Sequence, residues 1–183
     1  YEQYDPTRKI MTQNWEWMGK GGIEWDNPYW TAYRNLRDNN KQRYMLSAGL
    51  NWDILDWLKL SGRVRVDNTA YDYTEKEYAT TNPTLTEGSS NGYYQIERSK
   101  ERQTYADVTL LVNKRFGADW TLNANLTASI SDIRRDVFSN RGGIREDGLP
   151  NLFNVFQLDN STARRSQSGW REQVQSVLGS AEV

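Results

Sequence analysis

The sequence predicts an all-β protein built as an antiparallel transmembrane β-barrel wall, and three observations carry that expectation. Apolar and polar residues alternate strictly over several stretches. Each stretch runs to about 11 to 12 residues, longer than the soluble mode of roughly 5 to 6. Short and long connections alternate between them, as turns on one side of a membrane and loops on the other require. At about 3.3 Å per residue and a tilt near 45°, such a strand rises some 26 to 28 Å, close to the apolar band of roughly 25 Å on an outer-membrane barrel.

The first forty residues, with Trp15, Trp17, Trp25, Tyr29 and Trp30 among Gly and Asn, read as loop with one strand near Trp30 to Asn35. From Tyr44 to Ile54 one parity holds Tyr44, Leu46, Ala48, Leu50, Trp52 and Ile54, and the other holds Met45, Ser47, Gly49, Asn51 and Asp53. After the turn at Leu55-Asp56 the pattern restarts as Leu58, Leu60, Gly62, Val64 and Val66 against Lys59, Ser61, Arg63, Arg65 and Asp67, which predicts a hairpin. A second hairpin sets Ala106, Val108, Leu110 and Val112 on one face, turns over Lys114–Asp119, and returns as Trp120, Leu122, Ala124, Leu126, Ala128 and Ile130. Alternation resumes from about Gln173, with Val177, Gly179, Ala181 and Val183, and this last strand is expected to continue beyond the chain. The stretches 69–102 and 132–170 read as long loops. They are rich in Asn, Ser, Thr, Gly, Arg and Tyr, and Glu87–Gly92 is a turn signal expected to tolerate deletion.

Composition narrows the function. Hydrophobic residues make up 37% of the 183 and mean hydropathy is -0.89, yet 8 Trp and 11 Tyr stand against 4 Phe. Trp and Tyr join an apolar body to a polar tip and gather where apolar surface meets water. Trp52 and Trp120 beside the short turns, Phe116 within one, and Tyr44 at the far end of the same face predict two interfacial girdles. With 23 basic and 24 acidic residues the chain has no field to favour nucleic acid. The absence of Cys and His removes thiolate nucleophiles, the commonest general base and the usual zinc ligands, so no enzyme is expected. No catalytic residue, metal or cofactor is assigned. Alternation alone also fits a soluble all-β carbohydrate-binding module or a surface-adhesion domain, in which the apolar face would be buried against a second sheet.

The stretch Asp26-Asn27-Pro28-Tyr29-Trp30, then Tyr33-Arg34-Asn35, Arg43 and Asp56–Arg63, resembles the SusC/RagA family of TonB-dependent outer-membrane transporters. Phe116–Leu122 resembles that family's turn into a strand, and Gly148–Asn154 its loop before another strand. The likeness runs from about Asn14 to the end of the chain. It implies a 22-stranded barrel with an amino-terminal plug, of which residues 1–183 supply a barrel fragment with neither plug nor TonB box. It also implies an outer-membrane location, energy drawn from TonB through the missing amino-terminal part, a SusD-like surface lipoprotein as partner, and import of oligosaccharide or peptide. The loops 69–102 and 132–170 would then be extracellular.

Trp15, Trp17, Trp25, Tyr29 and Trp30 are the candidate ligand-binding residues, because the apolar faces of sugar rings lie against flat aromatic surfaces while Asn and Asp accept hydroxyl protons. Lys59, Arg63, Arg65, Asp67 and Asp107 point to the polar side, which in a barrel is the lumen. Arg134, Arg135, Arg141, Arg145, Arg164, Arg165 and Arg171 are expected to cluster in one long loop and its edge, where they would meet solvent, an acidic partner or lipopolysaccharide phosphates. Asp67, Asp72, Glu75 and Glu77 lack the spacing of a calcium loop.

Overall fold

The structure is a computed structural model that describes residues 1–15, 25–117 and 119–183. It is all-β apart from two short helical pieces. A small hairpin pairs β1 (Glu2–Asp5) with β2 (Ile10–Gln13), and α1 spans Pro28–Arg34. Five long strands follow: β3 (Asn35–Leu55), β4 (Leu58–Tyr78), β5 (Gly92–Phe116), β6 (Trp120–Gly143) and β7 (Arg164–Glu182). They form one open antiparallel sheet in the order β3-β4-β5-β6-β7. Ion pairs mark the first register: Arg37 meets Glu75 while Asp53 meets Lys59, so numbers rise along β3 as they fall along β4. Among the described residues no barrel closes and no helix is long and apolar enough to cross a membrane, the latter saying nothing of crossing by strands.

Every strand is longer than its alternating aliphatic stretch, and three expectations change accordingly. The stretches 69–102 and 132–170 are mostly strand, and the connections shrink to residues 79–91 and 144–163. Beyond Val66 the even positions hold Asn68, Ala70, Asp72, Thr74 and Lys76 where aliphatic residues stood, while Tyr71, Tyr73, Glu75 and Glu77 continue the polar parity, so hydrophobic periodicity fades while pairing does not. Cross-strand polar contacts hold it instead: Arg37 to Glu75 at 2.8 Å, Arg98 to Asp72 at 3.4 Å, and the Tyr71 hydroxyl on Asn39. The turn over Lys114–Asp119 shortens to 117–119, where Gly117 takes φ +68°.

The third change is at residues 30–35, where a helix replaces the expected strand. Asn27 caps α1 by accepting a hydrogen bond from the Tyr29 amide at 2.9 Å, and Pro28 occupies the first turn, where its missing N–H costs nothing. Local start signals therefore outweigh the aromatic, strand-favouring composition of the segment.

The chain divides into two compact units, and each long strand contributes to both. The first comprises residues 1–41, 71–99 and 137–168. Its core is small: Trp30, Ala79, Tyr93, Ile144 and Leu158, with Ile144 and Leu158 joined by an isolated antiparallel bridge. A dense polar network surrounds it. Asn91 donates to the carbonyls of Arg145 at 2.8 Å and Glu146 at 3.1 Å, Asn151 accepts from the Ala79 amide at 2.7 Å, and Glu146 accepts from the Ser90 amide at 2.7 Å. Ser89, Asn91 and Gly92 are buried, so Glu87–Gly92 is a structural clasp and not the free loop the sequence suggested. Gly92 sits at φ +112°, and a Cβ there would lie 2.5 Å from the Glu77 carbonyl oxygen, so only glycine fits.

The second unit comprises residues 42–70, 100–136 and 169–183, and none of its described residues is buried. Even positions on β3 to β6 share one face with odd positions on β7, as the approach of a Gly179 Cβ to the Leu126 side chain at 3.6 Å shows. That face carries Tyr44, Leu46, Leu50, Trp52, Val64, Val108, Trp120, Leu126 and Val177, all exposed, Leu46 by 69% and Leu50 by 68%. Among the described residues the five strands form a single sheet, and these side chains are left exposed on it. The opposite face is a ladder of paired charges and hydroxyls, with Arg43 on Asp67 at 2.6 Å, Arg63 on Asp107 at 2.9 Å, and Thr109 against Thr127 at 2.9 Å. Met45, Leu111, Val174 and Leu178 interrupt it.

Candidate functional site: an exposed aromatic patch on the first unit

The first unit presents aromatic rings to solvent, and helix α1 sets them out. Tyr29 and Tyr33 are four residues apart, hence on one helical face, while Trp30 falls on another. The two tyrosines are 64% and 61% exposed, and the Tyr1 ring lies 6.0 Å from Tyr29 and 5.9 Å from Tyr33, tilted by about 30° to each. Tyr1 reaches them because the β1–β2 hairpin returns beside α1: the Asn14 amide donates to the Tyr1 carbonyl at 3.0 Å. Trp25, just before the helix cap, is 70% exposed.

The floor beneath these rings is fixed. Trp30 is fully buried, and its indole N–H donates to the Thr81 hydroxyl at 2.9 Å. Arg34 pairs with Glu2 at 2.8 Å and stands over the Tyr78 ring at 5.3 Å. The hydrogen bond to Glu2 pushes the guanidinium above its ordinary range, so Arg34 stays charged at any working pH. Asp26 accepts from Gln13 at 2.8 Å and from the Asn82 amide at 2.9 Å, and the Gln13 side chain also accepts from the Asn27 amide. The helix is thereby tied to the hairpin and to the 79–91 connection. Rigid rings on a tied helix lose little freedom when a ligand docks.

Of the five aromatic candidates, the structure places Trp25 and Tyr29 at the surface and corrects Trp30, which packs inside and cannot stack on a ligand. Trp15 is half-buried, and its indole N–H is buried without a partner among the described residues. Trp17 lies outside the described residues. Tyr1 and Tyr33 escaped sequence reasoning. A helix over 28–34 would have exposed the spacing of Tyr29 and Tyr33, whereas nothing in the sequence announces that Tyr1 folds back.

The charged candidates are also redistributed. The seven arginines do not form one cluster: Arg134, Arg135 and Arg171 belong to the second unit and the others to the first. Arg171 is paired with Asp132 at 2.6 Å, Arg134 with Asp136 at 3.2 Å and Arg145 with Asp147 at 3.5 Å. On the polar face of the second unit Lys59 pairs with Asp53 at 3.1 Å, and Arg63 and Arg65 lie over the Tyr105 ring at 5.7 and 5.6 Å. Asp67, Asp72, Glu75 and Glu77 each face an arginine.

Glu77 is the most perturbed group in the first unit. Burial, with Glu75 and Asp26 nearby, pushes its carboxyl up to about 7 against the pull of Arg37 at 3.3 Å. Burial also acts on Glu75, but hydrogen bonds from Tyr73 and Arg37 outweigh it and hold that carboxyl below its ordinary value. Tyr73 is raised to about 12 by burial and by its hydrogen bond to Glu75. Two carboxylates with split affinities can perform acid-base work, yet Glu77 is only 1% exposed. Glu77 is sealed while Glu75 and Arg37 reach the surface, and their geometry clamps β3 to β4 through Arg37.

No protein-family model matches this chain, and no curated protein matches it.

Proposed function

We propose that the chain is part of the barrel wall of an outer-membrane TonB-dependent transporter that imports a polar nutrient such as an oligosaccharide or a peptide. The observation that carries the reading is the second unit: one sheet with no buried residue, an aliphatic face and a polar one. Burying a Leu or Val side chain stabilises by roughly 1.5 to 3 kcal/mol. Leaving six such residues, Leu46, Leu50, Val64, Val108, Leu126 and Val177, in water therefore forfeits on the order of 10 to 20 kcal/mol, as much as the whole stability of an ordinary domain. Lipid removes that penalty, and closure with further strands removes the free edges at β3 and β7. The stretches of strand in this unit, at about 3.3 Å per residue and a tilt near 45°, rise roughly 30 to 40 Å, enough for the apolar band and its interfaces.

In this reading the paired charges of the other face line the lumen. The short turns at 56–57 and 117–119 are periplasmic, and the connections 79–91 and 144–163 are extracellular. The aromatic patch of Tyr1, Trp25, Tyr29 and Tyr33 meets the solute or the SusD-like lipoprotein that delivers it, and TonB acts through a plug in the rest of the protein. The test is uptake. Trp25→Ala/Tyr29→Ala/Tyr33→Ala in the full-length transporter is expected to lower uptake of the cognate oligosaccharide or peptide at least about tenfold, since each lost stacking face is worth about 1 kcal/mol, with barrel abundance in the membrane unchanged. Undiminished uptake with normal abundance contradicts the assignment of the patch.

A further inference from the structure

We propose that the aliphatic face of the second unit carries a binding site for a phosphorylated membrane glycolipid, its phosphate held in a groove between Lys100, Arg102 and Arg134. The proposal rests on the transporter reading, because it needs that face to meet a bilayer.

The groove encloses about 430 Å³, and Tyr44, Gln42 and Asn68 line it with the cations, as does Asp136, whose carboxylate is held by Arg134. All of these positions share the even parity of the aliphatic face, so a ligand in the groove contacts the same surface as Leu46 and Val108. Charge in the groove is not balanced. Arg134 engages Asp136, whereas neither Lys100 nor Arg102 has a carboxylate within ion-pair distance among the described residues. Glu101 also borders the groove, but strand alternation sends its side chain to the opposite face. Two cations on long apolar stems, a phenol and two amides give donors enough for a phosphate, whose oxygens only accept at neutral pH.

A second feature selects a lipid over a soluble anion. Further along the same strands and on the same face lies a trough of about 350 Å³ lined by Val108, Ile130, Val177 and Gln175, with the small Ala106 and Ala128 between them. From Arg102 to Ala106 and from Arg134 to Ile130 is four residues, roughly 13 Å at the strand rise. That suits an amphiphile whose phosphate is separated from its acyl chain by a sugar. The small side chains of Ala106 and Ala128 leave the depression that bulkier residues would fill, and the surrounding aliphatic groups match a hydrocarbon chain. The basic end marks where that face passes from hydrocarbon to headgroup, and Tyr44 occupies the same level, as interfacial aromatics do.

The experiment uses the full-length protein reconstituted in nanodiscs, with three probes: a bisphosphorylated diglucosamine lipid, the same lipid after phosphatase treatment, and inorganic phosphate. Native mass spectrometry counts bound lipid for the wild type and for Lys100→Gln/Arg102→Gln. The bisphosphorylated lipid is expected to bind the wild type, and binding should fall about tenfold or more on removing either the phosphates or the two cations, given the attraction of each basic residue for an anionic headgroup. Inorganic phosphate at equal concentration should not compete. Equal binding by the variant, equal binding of the dephosphorylated lipid, or full competition by inorganic phosphate overturns the proposal, the last by assigning the groove to a soluble anion. Every sample is also run on a denaturing gel with and without heating. Heat-dependent migration with no phosphate dependence defeats the glycolipid site alone, whereas protein that shows none, and that stays in water without detergent, defeats the transporter reading as well.

Discussion

The two units are made from the same five strands, yet they are held together by opposite means. The first buries Trp30, Tyr93 and Ile144, threads side-chain amides through its connections and tolerates only glycine at residue 92. None of the described residues of the second is buried; it turns leucines outward on one face, which also holds the Arg171–Asp132 pair, and pairs Arg43 with Asp67 and Arg63 with Asp107 on the other. The difference teaches what each expects as a solvent. A region with a core and a polar network suits water, whereas a sheet with exposed aliphatic stripes and free edges at β3 and β7 is what the proposed transporter reading accounts for.

Substitution of tryptophan separates the units most strongly. Trp30→Ala is expected to destabilise the first unit by about 3 to 5 kcal/mol, the cost of an unfilled buried aromatic site. Faster hydrogen exchange over residues 79–91 reads it. Trp52→Ala, at an exposed position, should leave exchange there unchanged. Next in size is the effect of charge on the two faces of the second unit. Leu126→Arg should cost roughly 2 to 4 kcal/mol in a bilayer and Asn125→Arg far less, because only the first places a cation in hydrocarbon. Equal costs in reconstituted refolding titrations break the comparison.

Glu77 gives the first unit a pH dependence near neutrality. Its carboxyl is raised from 4.5 to about 7, so between those values the folded state holds the proton more tightly than the unfolded one. Stability therefore falls as pH rises through that window, by on the order of 2 to 3 kcal/mol, and levels off above it. Local exchange over residues 71–78, followed from pH 4.5 to 8, checks the sign, and Glu77→Gln should flatten the profile. A smaller contrast comes from glycine. Gly92→Ala adds about 1 to 3 kcal/mol of backbone strain in the first unit, whereas at Gly179 a Cβ would meet nothing nearer than 3.6 Å and thermal stability should hardly change.

How much of this was legible follows from the same contrast. In the second unit the aliphatic residues alternate, so Leu46, Leu50, Val108 and Leu126 were placed on one face of one sheet from the sequence, and both short turns were found. In the first unit the same face of β4 carries Asp72, Thr74 and Lys76 and the other carries Tyr73, Glu75 and Glu77, whose partners, such as Arg37, lie some forty residues away. Pairing that depends on distant charges leaves no local periodicity, which is why half of each strand read as loop. Asn91 looked like a turn residue because its sequence neighbours are Ser and Gly. Only the fold shows that its amide bridges two connections. At the candidate site, the aromatic richness of the first forty residues was visible, but which rings face out depends on α1 and on the return of Tyr1.

The central claim is that the even-numbered face of the second unit contacts lipid hydrocarbon while the odd-numbered face contacts water. The chain has no cysteine, so single cysteines at Leu46, Ser47, Asn125 and Leu126 can each carry a bimane label. In full-length protein reconstituted with acyl-chain nitroxide lipids, the account predicts strong quenching at Leu46→Cys and Leu126→Cys. It predicts quenching by aqueous iodide alone at Ser47→Cys and Asn125→Cys. Indistinguishable quenching of neighbouring positions by both agents would contradict it.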